Sequence, residues 1–438
     1  MRLIDVFRNF GIVFNRDDFD SGFFERGIDT IVVDGTGYEP LLETDRFLLE
    51  RETGNILRGL EYLVGASGAE RAVIAVNETY SNAISGLQES DEKKDFINVF
   101  PIGDFYPAGD ECVLVYEATG RIVPEGGTAV DAACIVIDVE SVVNTSEAIT
   151  NDKPVTKKWL TCTGYVNKPS IVRAHIGTPL EDVLALCGGA TCDDFAVIIG
   201  NPMTGRVETD MKASVEKQTT GIIVLPKDHS LVTRKKISIS SIIRRSKSIG
   251  RQDTVCTDLC PRYLLGYDIR VESILNQVNY QMADADESVI RGVFLCGECG
   301  LCDMYSCAPG PEPGVIFTAF KKMLDEKGYS PVFPKRMLSA HEMREYRKVP
   351  NSRIAGRLQF DTFIKTGMMM RVETSPALVE IPLEQAGVFS KPIVSTGDRV
   401  SEKECIARAS VNGHGSDVHA SISGKVTFID SERIVIAR

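Results

Sequence analysis

The stretch that decides how this chain must fold is Leu295-Cys296-Gly-Glu-Cys299-Gly-Leu-Cys302, followed by Cys307-Ala-Pro309. Its C-x2-C-x2-C-x4-C spacing lets three thiolates converge on one cuboidal [4Fe–4S] cluster, while the backbone amides of so tight a loop point at the sulfides. A zinc site usually draws on paired C-x2-C knuckles or added histidine. None of His175, His229, His341, His414 and His419 lies inside the cysteine region. Zinc and plainly packed thiols stand as the other readings.

Upstream, Val255-Cys256-Thr-Asp-Leu-Cys260-Pro261 is the second half of the bacterial ferredoxin pattern C-x2-C-x2-C-x3-C-P. The first two cysteines of that pattern belong at 250 and 253, where the chain has Gly250 and Asp253. In two-cluster ferredoxins the fourth cysteine of each run ligates the other cluster. That rule assigns Cys260, Cys296, Cys299 and Cys302 to one complete cluster. Cys256 and Cys307 remain for a second site, with Asp253 as its candidate oxygen ligand. Two thiolates and a carboxylate hold a cubane poorly, so one complete cluster and one vestigial site are expected.

Six of the 12 cysteines lie between Cys256 and Cys307. A secreted disulfide framework would spread its pairs over the chain, whereas this clustering suits a metal centre in a reducing compartment. Cys112, Cys134, Cys162, Cys187, Cys192 and Cys405 read as packed thiols. The 438 residues are 43% apolar, enough for about three domains of ordinary size. With 49 Lys+Arg against 61 Asp+Glu the formal net charge is −12, so no broad basic face is on offer to nucleic acid. No apolar run approaches the roughly 18 residues of a membrane span, and Met1 to Phe14 lacks the apolar core of a signal peptide. A soluble, cytoplasmic protein is expected.

Outward from the cysteines, the pattern divides into four units, residues 1–148, 149–235, 236–330 and 331–438. In the first, Thr30-Ile-Val-Val33, Ala72-Val-Ile-Ala-Val76 and Ala133-Cys-Ile-Val-Ile137 alternate with helical stretches at Phe47 to Ala66 and Glu140 to Ile149, an α/β pattern with a mostly parallel sheet. After Asn151-Asp-Lys-Pro154, two strands (Lys158 to Gly164, Ser170 to His175), a helix from Pro179 to Leu186 stopped by Gly188-Gly189, and Phe195 to Ile199 describe a small α+β unit of the ubiquitin-like sort. Trp159 reads as core there. Ser241 to about Lys327 is helical and holds the cysteines. A polar connection follows Pro331, and Lys391 to Val394, Gly424 to Ile429 and Arg433 to Ile436 suggest a terminal β barrel or sandwich.

The chain resembles the cobalamin reductases of propanediol utilisation (PduS-like) and their relatives in Rnf electron-transport complexes (RnfC-like). The resemblance rests on Phe105-Tyr-Pro-Ala-Gly-Asp-Glu111, His175-Ile-Gly-Thr-Pro179, Leu184-Ala-Leu-Cys-Gly-Gly-Ala190, Gly200-Asn-Pro-Met-Thr-Gly205, Cys256-Thr-Asp-Leu-Cys-Pro-Arg-Tyr-Leu-Leu-Gly266, Cys296 to Cys302 and Val418-His-Ala-Ser-Ile-Ser-Gly424. It implies a complex I flavoprotein-like α/β domain, a β-grasp (SLBB) domain, a ferredoxin-like helical iron–sulfur domain and a C-terminal β barrel-sandwich domain. It also implies electron flow from a nicotinamide through FMN and two clusters to a corrinoid or another acceptor, in a cytoplasmic, microcompartment or membrane-complex setting.

The flavin end departs from the family. Where the family has the glycine-rich loop G-A-G-G-A-G-F-P-T, this chain runs Phe14-Asn-Arg-Asp-Asp-Phe-Asp-Ser-Gly-Phe-Phe24. Asp17, Asp18 and Asp20 would repel a phosphate, and Phe14, Phe19 and Phe23 would fill its place. The family's N-A-A-E-C-E-P is Asp34-Gly-Thr-Gly-Tyr-Glu-Pro40, and its paired asparagines correspond to Ile137-Asp138. Glu39, Asp110 and Glu111 survive as a vestigial FMN site, or else as solvated carboxylates and helix caps. FMN is therefore doubtful. The terminal unit offers no hairpin lysine for a carrier arm, and Met368-Met-Met370 reads as packing.

The reading that follows is an iron–sulfur electron-transfer protein. It would carry electrons from a reduced ferredoxin, flavodoxin or flavoprotein to a partner enzyme, with a homo-oligomer allowed. The alternatives are an FMN- and iron–sulfur-dependent NADH:cobalamin reductase and a non-redox assembly subunit.

Overall fold

The computed structural model describes residues 3–12, 27–249, 253–280, 286–307, 310–363, 369–385, 388–409 and 415–438. The acidic stretch from Phe14 to Phe24, Gly250, Ala308, Pro309, Met368 and His414 lie outside them.

Four parallel strands form the first sheet, in the order Ile97–Ile102, Arg71–Asn77, Thr30–Gly35, Cys134–Asp138. Ile31 and Val33 point into one core and Val32 into another, so the sheet is buried on both faces and its strands read as continuous apolar runs. Helices Thr53–Ser67 and Val139–Asn151 cover one face. Helix Glu111–Thr119 and the helices of the cysteine unit share a single core on the other, through Val113, Leu275, Val293 and Phe317. The helix expected from Phe47 to Ala66 is two, Thr44–Arg51 and Thr53–Ser67, interrupted at Glu52.

A second sheet runs Met370–Glu373, Ser170–His175, Lys157–Gly164, Gly221–Pro226, Phe195–Ile199, Arg206–Glu208. Helix Leu180–Leu186 lies across it and ends at Gly188 and Gly189, both at φ +80°, where a residue with Cβ would be strained. Trp159 is core, as its place in the sequence suggests. Gly221–Pro226 is a central strand that pairs in parallel with Lys157–Gly164. Met370–Glu373, from the far end of the chain, extends the sheet at its edge.

The terminal unit is a barrel-sandwich of a four-stranded sheet (Leu378–Pro382, Arg433–Ala437, Gly424–Ile429, Arg399–Val400) and a three-stranded one (Lys391–Pro392, Cys405–Arg408, Val418–His419). Residues after Pro331 do not run free. Val349–Pro350 pairs with Phe105–Tyr106, and helix Asn351–Arg357 buries Ile354 and Ala355. Met369 packs on the main core, but Met370 is 71% exposed, so the methionine run is not uniformly packing. Of the six scattered cysteines, Cys112, Cys134, Cys162 and Cys187 are buried, while Cys192 and Cys405 keep some surface.

Candidate cluster site and the acidic cavity beside it

Two short helices, Val255–Asp258 and Pro261–Leu264, present Cys256 and Cys260. Pro261 opens the second helix at the position where a missing N–H costs nothing. Its first-turn amides are therefore free, and the Cys260 sulfur accepts from the N–H groups of Arg262 and Tyr263. Helix Glu287–Phe294 delivers the chain to the Cys296 loop. There Glu298 at φ +54° and Gly300 at φ +73° turn the backbone inward. The amide of Glu298 donates to the Cys296 sulfur at 3.4 Å and that of Leu301 to the Cys299 sulfur. A π-turn, Cys302–Ser306, closes the loop, a conformation that concentrates at functional sites.

Cys260, Cys296, Cys299 and Cys302 all act on one another electrostatically. Each retains part of its surface, whereas Cys256 and Cys307 are buried. Burial pushes the Cys296 thiol up to about 12, and those of Cys299 and Cys302 well above the usual thiol range. Among the described residues no three His, Cys, Asp or Glu side chains gather as they would around a single metal ion. Four thiols that act on one another electrostatically, with backbone amides donating to three of them, are a donor set of the chemistry a cuboidal cluster takes. Asp253, by contrast, is exposed, with Oδ1 accepting the Val255 amide at 3.4 Å. The helix that carries Cys256 packs on the Cys302–Ser306 turn that Cys307 follows, while residues 250–252 and 308–309 are not described.

Two neighbouring units clamp the loop. From the parallel-sheet unit, Tyr106 Oη donates to the Cys299 carbonyl at 2.6 Å and Asp110 Oδ2 accepts from Arg262 at 2.9 Å. From the β-grasp unit, the loop Gly200 to Gly205 sets buried Met203 against Leu301, and Lys235 Nζ holds that loop through Met203 O and Gly205 O.

The three surviving carboxylates of the flavin end have separate tasks. Asp110 caps helix Glu111–Thr119, with Oδ1 accepting from Cys112 N and Val113 N. Glu111 accepts from Ala129 N at 2.6 Å. Both are caps rather than solvated groups. Glu39 is enclosed, with no hydrogen-bond partner at Oε2. Burial raises its carboxyl to about 8 against the pull of Lys235, whose ammonium burial lowers to about 8.

Glu39 lines a cavity of about 330 Å³ at the carboxyl ends of Thr30–Gly35 and Cys134–Asp138, the crevice where open α/β sheets bind ligands. Asp34, Asp45, Asp138 and Glu140 also line it, against Lys158 and Lys217. Lys158 is paired with Glu140, and Lys217 Nζ donates to Gly11 O and Asp417 O. Burial raises Asp34 to about 6 and Asp45 to about 8. Both lysines of its described lining are already engaged, Lys158 by Glu140 and Lys217 by backbone carbonyls, so the cavity offers a flavin phosphate no uncommitted cation. Arg262, Lys235 and Asp45 carried no role in the sequence reading, and Tyr106 entered it only as part of the surviving flavin-end stretch Tyr106 to Glu111. Only the motif stretches around Tyr106 and Arg262 could have drawn notice to them.

Four family descriptions match in chain order: the Nuo51 FMN-binding domain over residues 22–147, the SLBB domain over 160–207, a 4Fe-4S dicluster domain over 251–310 and the RnfC barrel sandwich hybrid domain over 366–437. The cobalamin reductases PduS of Citrobacter freundii and Salmonella typhimurium are each 32% identical over 415 residues, 94% of this chain and 90% of theirs. One component of the Na+-translocating ferredoxin:NAD+ oxidoreductase complex of Acetobacterium woodii is 29% identical over 55% of this chain and 52% of its own. A solved NAD+-reducing [NiFe]-hydrogenase, air-oxidised, is similar at TM-score 0.45 and 16% identity over 82% of this chain and 66% of that one. Among the described residues no helix is long and apolar enough to cross a membrane.

Proposed function

This chain belongs to the family of the PduS cobalamin reductases and their RnfC-type relatives, and from that premise we propose how its iron–sulfur electron transfer is arranged. Cys260, Cys296, Cys299 and Cys302 hold one [4Fe–4S] cluster. Electrons arrive singly from a reduced ferredoxin, flavodoxin or flavoprotein and leave to a partner enzyme, without FMN in between. The observation that carries this reading is the asymmetry between the two halves of the molecule. Four partly exposed thiols act on one another, with backbone amides donating to three of them, while the cavity at the sheet end is walled by carboxylates.

When bound, the cluster supplies one-electron chemistry. The chain's own part is to offer four sulfurs, aim amide dipoles at them, and exclude water with Met203, Leu301 and Leu295. Tyr106 and Asp110 fix the loop to the rigid sheet unit.

The test is iron, sulfide and acid-released flavin per chain on one anaerobic sample. About four iron without flavin is expected for a single cubane. About eight iron with one FMN would overturn the reading in favour of a second one, an FMN- and iron–sulfur-dependent NADH:cobalamin reductase. That second reading is favoured by the match to an FMN-binding domain and by the printed name of the PduS relatives.

A further inference from the structure

Arg262 follows the ligand Cys260 by two residues, and its side chain is fixed from three directions. Its Nη2 donates to Asp110 Oδ2 at 2.9 Å, with the two side chains only 14% and 9% exposed. The guanidinium lies 5.6 Å from the centre of the Tyr267 ring, whose hydroxyl is anchored on Val123 O. Gly297, inside the cysteine loop, presses on it: a Cβ there would meet Arg262 Nε at 2.9 Å and Asp110 Oδ2 at 2.9 Å. The Cys112 thiol also lies against the guanidinium, yet Nε is buried with no partner in hydrogen-bond geometry. A buried N–H on a fixed guanidinium is costly to leave unpaired, and native proteins rarely do so without a reason. This one sits beside the residue between Cys296 and Glu298, against the loop that faces the thiols.

We infer that Arg262 is a positioning residue for the cluster, its Nε–H completing the set of donors around the cluster sulfur and its charge, metered by Asp110, setting the reduction potential. This rests on the proposed ligand set. The electrostatics fix the sign. Reduction adds a negative charge to the cluster, so a nearby cation favours the reduced form, and a carboxylate hydrogen-bonded to that cation cancels much of the effect. Asp110 therefore acts as a counter-charge as well as a helix cap. A lysine at 262 would keep the charge but lack the planar fork that serves Asp110 and the loop together.

Asp110→Asn separates these roles, because asparagine caps a helix as well as aspartate does. The readout is an EPR-monitored redox titration of purified protein, with iron per chain measured on the same sample. Asp110→Asn is expected to keep its iron and raise the potential, by exposing the Arg262 charge. Arg262→Lys is expected to keep its iron with a lower potential and altered g-values, through loss of the Nε–H donor. Gly297→Ala, which alters no charge, should shift the g-values by displacing Nε. Unchanged potential and spectrum in Asp110→Asn and Arg262→Lys would overturn the inference and leave the pair a structural tie. Absence of iron from the unsubstituted protein would instead sink the ligand assignment on which it rests.

Discussion

Tyr106 Oη donates to the Cys299 carbonyl oxygen at 2.6 Å across 193 residues of sequence, joining the parallel-sheet unit directly to the cysteine loop. The tyrosine is buried, and burial holds its hydroxyl protonated far above any working pH, so it serves as a permanent donor. Tyr106→Phe removes the hydroxyl and leaves a peptide carbonyl unpaired at the ligand loop. The expected cost is about 1–3 kcal/mol. Chelator-driven iron loss should quicken accordingly, while the iron content of freshly prepared protein stays normal. Equal rates of loss in the two proteins would show that the bond does not hold the loop.

Serine substitutions should divide the six clustered cysteines into two classes. Cys260→Ser, Cys296→Ser, Cys299→Ser and Cys302→Ser each remove a ligand and should abolish the visible cluster absorbance. Cys256→Ser and Cys307→Ser touch thiols that are already packed away, so they should retain about four iron per chain and lose only the stability of a small buried group. Loss of absorbance in either of these two would establish a second metal centre.

How much of this was legible in the sequence follows from the distance over which each feature is encoded. The helix stop at Gly188-Gly189 and the apolar strand runs are local, and their readings carry into three dimensions. Arg262 and Asp110 meet across 152 residues, and no spacing rule joins them. The place where helix Thr44–Arg51 starts also depends on a distant contact. It is tied to the β-grasp sheet through Glu43 N and Thr44 Oγ1, both on Thr161 Oγ1. Met370–Glu373 joins the edge of that sheet by backbone pairing, which leaves no side-chain pattern to read. The acidic cavity was half visible: Asp34 and Asp138 stood out against the family, whereas Asp45 comes from a helix that the sequence shows only as amphipathic.

The joint between the parallel-sheet and β-grasp units turns on Glu140 and Lys158. Their side chains are 7% and 14% exposed, and Glu140 Oε1 also accepts the Trp159 amide at 2.9 Å. Glu140→Ala strands a buried ammonium and a buried amide together. A loss of about 3–5 kcal/mol is expected from chemical denaturation. Glu140→Ala combined with Lys158→Met should recover a large part of it, because no unpaired charge then remains. A double variant no more stable than the single one would locate the effect in packing.

Asp45 gives the molecule a pH dependence whose sign can be worked out. Burial raises its carboxyl to about 8, Asp34, Asp138 and Glu140 add to the rise, and Lys158 opposes it. In the unfolded chain the same group ionises near pH 4. From about pH 4 to about pH 8 the folded protein therefore holds a proton that the unfolded chain has released, and this group's contribution makes stability fall as pH rises through that window. Asp45→Asn removes the ionisation while keeping size and polarity. The variant should match the parent near pH 4 and gain on it steadily up to about pH 8, by roughly 1 °C in Tm for each kcal/mol. Thermal unfolding of both proteins at intervals across that range measures the difference. A constant offset would mean that Asp45 stays ionised throughout, held by cations that the cavity draws from solution.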